Sequence, residues 1–205
     1  SRIKAYQNDN HGIIASNRNF GIKKAVGEYV AFCDDDDIWL DNKLELQIDR
    51  ILTNKVDFIS SNALLFKDNI ENIISITNSK LPLNYNAFLK VNHVNTSTVI
   101  AKKSALLNFD ESSDLVTIED YELWLKLYDN SYKFAFISDP LIYYRLSDNN
   151  ISLKNYSKKH IRLVFLFRRI FMRSSSRRTR FILIKIIMVN CLKYIVKKLI
   201  ILRKT

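Results

Sequence analysis

The most informative segment of the chain is Tyr29-Val30-Ala31-Phe32-Cys33-Asp34-Asp35-Asp36-Asp37-Ile38-Trp39. An apolar run leads directly into four consecutive aspartates, and such a run is typical of a strand buried on both faces, as in a parallel sheet covered by helices. The four carboxylates repel one another by about 1 kcal/mol per pair at 4 Å even in water. The stretch therefore indicates either a solvated acidic turn or a site for a hard cation such as Mg²⁺ or Mn²⁺, which bridges carboxylates to substrate phosphates.

The bulk composition describes a globular chain in a reducing compartment. Of the 205 residues, 47% are hydrophobic and 26% are charged, which excludes a disordered class. Three glycines and two prolines disfavour a loop-rich or repetitive architecture. Cys33 and Cys191 have neither metal-ligand spacing nor the pattern of a disulfide framework, so a cytosolic setting is the default.

The charge of the chain is strongly asymmetric. Residues 151–205 contain 16 Lys and Arg and no Asp or Glu, whereas residues 1–150 contain the other 16 basic residues and all 21 acidic ones. An acidic body with a basic tail suggests contact with nucleic acid or with an anionic membrane surface. The basic residues alternate with long aliphatic side chains rather than forming a base-stacking platform, which makes nucleic acid the weaker interpretation.

Apolar periodicity predicts strands alternating with helices, and hence an α/β fold with a largely parallel sheet. The tail should be helical from about residue 157, with an interruption at 173–180. Predicted strands are 2–6, 29–33, 56–59, 63–66, 98–101, 134–137 and 141–144. Predicted helices are 13–26, 44–52, a short one at 86–90, and 118–127, with a loop at 67–85. Within 44–52, the residues expected on one apolar face are Leu44, Ile48, Ile51 and Leu52.

The apolar segment 181–202 in the tail is long enough to cross a bilayer. Its lysines disfavour this, because each costs about 2.5–3.5 kcal/mol near the bilayer centre. On a helical wheel one side contains Asn190, Lys193, Lys197 and Lys198. This pattern predicts a basic amphipathic helix that lies in the membrane interface.

Several motifs, in chain order, resemble the family-2 glycosyltransferases of the GT-A fold. The first are Asn17-Arg18-Asn19-Phe20-Gly21-Ile22, Gly27-Glu28-Tyr29 and the aspartate run with its Asp-x-Asp pattern. The later ones are Asn95-Thr96-Ser97-Thr98, Phe109-Asp110-Glu111, Ile118-Glu119-Asp120-Tyr121-Glu122-Leu123-Trp124, Tyr144-Arg145 and Ile151-Ser152. The match extends over residues 2–152 and implies a Rossmann-like transferase domain at 1–152, followed by a tail at 153–205.

The resemblance implies an inverting transfer from a nucleoside-diphosphate sugar, with a UDP-sugar as the first choice. Asp34 and Asp36 would hold Mn²⁺ or Mg²⁺, which neutralises charge on the departing diphosphate. The donor-binding residues would be Arg18, Asp35, Asp37 and Arg145. A surface arginine is the alternative role for Arg18.

On the acceptor side, the resemblance makes Asp120 the general base that deprotonates the acceptor hydroxyl. Glu119 would support the site or contact a sugar. The alternative for Asp120 is a helix N-terminal carboxylate that stabilises the dipole, by about 0.3–1 kcal/mol. Trp124 is expected in the core rather than at a ligand.

Two features depart from the family pattern. Ser147 stands where many members have a histidine that contributes to the metal or phosphate site. The chain also begins about where the third strand of the family would, with no base-clamping front and no signal-peptide segment after Ser1.

From the resemblance and the basic tail we expect an enzyme of bacterial surface-glycan synthesis, with a glycan or lipid-linked glycan as acceptor, peripheral on the cytoplasmic face of the membrane. The alternative is a truncated, inactive remnant that binds a membrane or a partner.

Overall fold

A computed structural model of the chain describes residues 2–77, 85–147 and 156–202. One sheet has helices packed on both of its faces. Its strands are β1 (Tyr29–Ala31), β2 (Ile38–Trp39), β3 (Phe58–Phe66), β4 (Ile73–Ile76), β5 (Ile100–Lys102) and β6 (Phe134–Arg145). The helices are α1 (Ile14–Lys24), α2 (Lys43–Asn54), α3 (Tyr85–Phe88), α4 (Glu119–Asp129), α5 (Tyr156–Arg173) and α6 (Arg177–Leu202), with 3₁₀ turns at Thr96–Thr98 and Ser113–Leu115.

The sheet is mixed rather than largely parallel. Its strand order is β1-β5-β3-β6-β2, with β4 paired to β3. Among the described strands, β3 and β6 pair in parallel, and the other pairs are antiparallel. The prediction of a mostly parallel sheet was wrong because a continuous apolar run reports burial on both faces, which a central strand of either direction can have. The directions nevertheless give β1, β3 and β6 a common orientation.

Several predicted strand boundaries differ from the structure. The predicted pairs at 56–59 with 63–66 and at 134–137 with 141–144 are two continuous strands, β3 and β6. Pro140 lies within β6 opposite Asn62, where the register shifts, since a bulge removes the need for a ladder N–H. Residues 2–6 form no strand, and β4 lies in a segment that was predicted as a loop. The proposed domain boundary at 152/153 and the motif Ile151-Ser152 lie outside the described residues.

Two apolar clusters lie on opposite sides of the sheet. Successive residues of β3 alternate between them, with Phe58 in the larger cluster and Ile59 in the smaller, as the period of two requires. The larger cluster contains residues of α1, α4, α5 and α6, and the smaller one contains Ile51 of α2. Trp124 is completely buried in the larger cluster, which confirms its prediction as a core residue.

The apolar face predicted for α2 was partly wrong. Leu44 is 47% exposed and Leu52 is 61% exposed, whereas the buried residues of the helix are Lys43, Gln47 and Ile51. The Lys43 ammonium donates to the Gln47 side-chain oxygen at 2.7 Å. Burial of these polar groups is possible because they satisfy each other.

The tail forms two helices, α5 and α6, separated at residues 174–176. Leu166 and Phe167 of α5 and Leu183 of α6 are buried in the larger cluster. The predicted polar side of the tail helix was wrong for Asn190, which is buried with its Oδ1 3.0 Å from Nδ1 of His160. Burial against α5 explains why a helical wheel drawn for an isolated helix misplaced it. Within the described residues, no helix is long and apolar enough to span a membrane.

Candidate active site

A pocket of about 840 Å³ lies at the carboxyl ends of β1 and β6, against the first turns of α1 and α4. This edge of an α/β sheet is where ligands usually bind, because loops and helix starts converge there. The side chains with a polar or reactive group that line it are Asn17, Arg18, Cys33, Asp34, Asp35, Asp36, Ser61, Thr77, Asn92, His93, Asn95, Thr96, Thr117, Glu119, Asp120, Tyr144 and Ser147. Six of the eight predicted site residues are therefore lining residues of one pocket.

Arg18 connects the aspartate run to the start of α4. Its Nη2 donates to both carboxylate oxygens of Asp34, at 3.0 and 3.2 Å, and its Nη1 donates to Glu119 at 2.9 Å. Burial alone would lower the pKa of Arg18, but the Asp34, Asp120 and Glu119 carboxylates outweigh it and raise that pKa above its ordinary value. Arg18 is thus a permanent cation at the centre of an acidic pocket.

Asp120 lies in the first turn of α4 and faces the pocket while partly buried. One carboxylate oxygen accepts from Asn92 at 3.3 Å and from the Thr96 hydroxyl at 3.4 Å, and the other accepts from the Tyr121 backbone N–H at 2.6 Å. Burial raises the pKa of Asp120, and the Arg18 charge opposes that rise. A carboxylate that is fixed by hydrogen bonds and has a raised pKa is suited to act as a general base.

Within the aspartate run, the four side chains differ in environment. Asp34, Asp35 and Asp36 line the pocket, Asp35 being the exposed one. Burial and the neighbouring carboxylates raise the pKa of Asp36. Asp37 is buried and is not among the described residues that line the pocket. The run thus presents three carboxylates to the pocket.

Asp37 and Arg145, both predicted as donor-binding residues, meet behind the pocket wall. The Arg145 backbone N–H donates to Asp37 Oδ1 at 3.1 Å, and the Arg145 side chain donates through Nε to the Asp36 carbonyl at 3.1 Å. Burial raises the pKa of Asp37 to about 6. In the structure, these hydrogen bonds between Asp37, Asp36 and Arg145 connect the aspartate run to the end of β6.

The 3₁₀ turn Thr96–Thr98 holds the aspartate run from the other side. The Ser97 hydroxyl accepts from the Asp34 backbone N–H at 3.0 Å, and the Ser97 carbonyl accepts from the Trp39 indole at 3.2 Å. Ser97 is completely buried. The family resemblance included this segment among its motifs but gave Ser97 no role. The available signal was a cluster of hydroxyl residues directly before a buried strand.

Lys43 and Gln47 extend this support beneath the run. The Lys43 ammonium lies 4.3 Å from the centre of the Trp39 ring, and Gln47 donates to the Thr98 carbonyl at 2.8 Å. Burial lowers the pKa of Lys43 to about 8. Two polar residues spaced i and i+4, one just before the predicted helix 44–52 and one within it, are the signal that could have revealed this contact.

The potential metal ligands in the pocket suit a hard cation only in part. Among the described residues, no group of three or more His, Cys, Asp and Glu side chains is arranged to hold a metal ion. Asp34 and Asp36 offer carboxylate oxygens to the pocket, although those of Asp34 accept from Arg18. Two carboxylates fit an ion such as Mg²⁺, which takes its remaining ligands from water and substrate phosphates.

The fold of this chain is similar to that of solved glycosyltransferase structures. The crystal structure of S. aureus TarS residues 1–349 superposes with a TM-score of 0.64 at 16% identity, covering 92% of this chain and 54% of that chain. The same fragment in complex with UDP-GlcNAc gives a TM-score of 0.58 at 16% identity, covering 86% and 52% of the two chains. The chain has the α/β fold of the GT-A glycosyltransferases.

The chain belongs to glycosyl transferase family 2, whose family model matches residues 1–110. It is 35% identical over 159 residues to the UDP-Glc:alpha-D-GlcNAc-diphosphoundecaprenol beta-1,3-glucosyltransferase WfgD of Escherichia coli, covering 77% of this chain and 61% of the relative. It is 27% identical over 165 residues to the putative teichuronic acid biosynthesis glycosyltransferase TuaG of Bacillus subtilis, covering 80% and 64%. The chain thus spans about three fifths of the length of these curated relatives.

Proposed function

We propose that the protein is a metal-dependent, inverting glycosyltransferase of bacterial surface-polysaccharide synthesis. It would move a sugar from a UDP-sugar to a hydroxyl of a glycan or lipid-linked glycan. The observation that supports this most is the convergence of Arg18, Asp34, Asp36, Glu119 and Asp120 on one pocket in a family-2 chain. The positions of these five residues span 102 places in the sequence, so their convergence is a property of the fold.

Asp120 is the proposed base. The acceptor hydroxyl oxygen attacks the anomeric carbon and forms the new glycosidic bond, its proton passes to a carboxylate oxygen of Asp120, and the bond to the nucleoside diphosphate breaks with its electron pair. Asn92 and Thr96 hold that carboxylate from the side. Their donated hydrogen bonds fix its orientation before the acceptor binds.

Arg18 is the proposed counter-charge for the donor diphosphate. Its guanidinium is already oriented by Asp34 and Glu119 and has a raised pKa, so its charge is constant over the working pH range. Asp34 and Asp36 would hold Mn²⁺ or Mg²⁺, which when bound offsets the negative charge of the leaving diphosphate. Asp35, exposed at the pocket, is proposed to contact the donor.

The donor and acceptor classes are proposed from the relatives. WfgD is named for UDP-Glc and a diphosphoundecaprenol acceptor, and the TarS fragment was crystallised with UDP and with UDP-GlcNAc. A uridine nucleotide is therefore the first donor to test. A lipid-linked diphosphate glycan is the first acceptor to test.

The tail is proposed to hold the protein on the cytoplasmic face of an anionic membrane. Exposed apolar residues recur along α6 at three- and four-residue spacing, namely Phe181, Ile184, Met188, Leu192 and Ile195. The acid-free residues 151–205, which include α6, contain the 16 basic residues noted above, and each one near anionic lipid contributes about 1 kcal/mol. Cosedimentation with vesicles of anionic and of neutral lipid, at low and high salt, measures this attraction.

The deciding experiment is calorimetric titration of the 205-residue chain with UDP, once with Mn²⁺ and once with EDTA. The test variant is Asp34→Asn/Asp36→Asn. The control is Asp41→Asn/Asp49→Asn, which removes the same charge from exposed positions outside the pocket. We expect Mn²⁺-dependent binding that weakens by at least about tenfold, or 1.4 kcal/mol, in the test variant and stays within about twofold in the control.

Two results would contradict the proposal. Equal UDP affinity in the test variant and the parent chain would show that the aspartates of this pocket do not contribute to donor binding. Equal UDP affinity with Mn²⁺ and with EDTA would show that no metal takes part in UDP binding. Arg18 would then be the cation that contacts the diphosphate.

A further inference from the structure

A second, smaller cavity lies on the outer side of α5. Its volume is about 360 Å³, and its lining residues are Asp114, Phe165, Arg168, Arg169, Met172 and Arg173. The five helical residues recur at i, i+3, i+4, i+7 and i+8, so they share one face of α5. We call this cavity the α5 pocket.

The charges of the α5 pocket favour an anion. Arg169 is neutralised by Asp110, with its Nη1 3.0 Å from the carboxylate. Neither Arg168 nor Arg173 has an ion-pair partner among the described residues. Against these two guanidiniums, Asp114 is the one carboxylate that lines the cavity. Paired guanidiniums are the usual recognition groups for phosphate oxygens.

The α5 pocket also presents apolar surface. Phe165 is 40% exposed and Met172 is 72% exposed, and both lie beside the arginines. Inorganic phosphate or diphosphate would leave this apolar surface uncovered. A ligand that joins a phosphate group to a hydrocarbon chain satisfies both kinds of side chain at once.

The segment 110–117 forms the wall between the α5 pocket and the candidate active site. Asp110 binds Arg169 and Asp114 lines the α5 pocket, whereas Val116 and Thr117 line the large pocket. Arg162 of α5 donates to the Thr117 hydroxyl at 3.3 Å. One acceptor molecule could therefore lie across this segment, with its sugar beside Asp120 and its phosphates at α5.

We propose that the α5 pocket binds the diphosphate and adjoining hydrocarbon of a lipid-linked acceptor. The inference rests on the proposed transferase function and adds the site that recognises the acceptor. The basic face of α5 would thus select an acceptor with a lipid diphosphate over a free sugar.

The test titrates the 205-residue chain with geranylgeranyl diphosphate, with inorganic diphosphate and with geranylgeraniol. The test variant is Arg168→Gln/Arg173→Gln, and Arg168→Lys/Arg173→Lys keeps the charge. The control, Arg177→Gln/Arg178→Gln, removes two exposed charges from the start of α6. UDP titration and circular-dichroism melting of every variant report on the donor site and on folding.

We expect geranylgeranyl diphosphate to bind the parent chain most tightly of the three. The Gln test variant should bind it at least about tenfold more weakly, the control within about twofold and the Lys variant in between. Equal loss in test variant and control would overturn the proposal in favour of general attraction to an anionic membrane. Inorganic diphosphate binding as tightly as the lipid diphosphate, or no binding by the parent chain, would overturn it as well. Absence of UDP binding in the parent chain would instead count against the transferase function, whatever happens at α5.

Discussion

Replacing Arg18 by methionine tests whether the pocket depends on its internal cation. The change keeps a long apolar stem but leaves Asp34 and Glu119 without their shared partner. The Arg18 side chain is 11% exposed and that of Glu119 is 6% exposed, so solvent screens their interaction little. Breaking a buried pair by removing one partner costs about 3–5 kcal/mol. Because Asp34 is one-third exposed, we expect the lower end, about 3 kcal/mol at pH 7.5.

Urea unfolding followed by circular dichroism measures this cost. Arg50→Met, at an exposed position of α2, is the matched control and should change the unfolding free energy by less than about 0.5 kcal/mol. The double variant Arg18→Met/Glu119→Gln should be more stable than the Arg18→Met single variant, with a coupling energy of about 1–3 kcal/mol. The cost should also shrink at pH 5, because burial raises the pKa of Glu119 and the variant lacks the Arg18 charge that opposes that rise. A cost below about 1 kcal/mol with no coupling would refute the reasoning.

Three further predictions follow from the same geometry. Asp120→Asn should lower kcat by about 10²–10⁴ while leaving UDP affinity unchanged, and the parent's activity should rise with pH through the raised pKa of Asp120. Burial raises the pKa of Asp37 to about 6 from 3.8, so the folded state keeps a proton that the unfolded chain has released. Stability should therefore fall as pH rises across this window, and urea unfolding of Asp37→Asn should lack that fall. Trp124→Ala, in the completely buried core, should cost about 3–5 kcal/mol in thermal or urea unfolding.

The helices were the most predictable part of the fold. The structure has α4 at Glu119–Asp129 and α2 at Lys43–Asn54, against predictions of 118–127 and 44–52. Helical periodicity is a local property, so a single stretch of sequence contains it. Strand direction is different, because it depends on which strands meet across the sheet. β1 and β5 pair antiparallel although about 70 residues separate them, and no spacing within either strand records that.

The candidate site was predictable in composition but not in its contacts. The aspartate run and the Glu119-Asp120 pair stand out as unusual groups of carboxylates in the sequence. The bond between Arg18 and Glu119 joins residues 101 positions apart, so only the folded chain reveals it. The sequence also does not show that Asp37 is buried away from the pocket while Asp34, Asp35 and Asp36 line it, because a turn within the run decides which side chains face the pocket. That turn is closed by the Asp37 backbone N–H, which donates to the Asp34 carbonyl at 3.2 Å.

The turn at residues 95–98 unites the two halves of the proposed chemistry. Ser97 fixes the backbone of Asp34, and the adjacent Thr96 donates to Asp120. The Asn95 side chain accepts from the Ser97 backbone N–H at 2.9 Å, which stabilises the turn itself. Both contacts originate from neighbouring residues of one buried turn, so a single element positions the aspartate run and Asp120 together. The shared support of the donor side and of the proposed acceptor base is therefore this turn, two of whose residues, Asn95 and Thr96, also line the pocket.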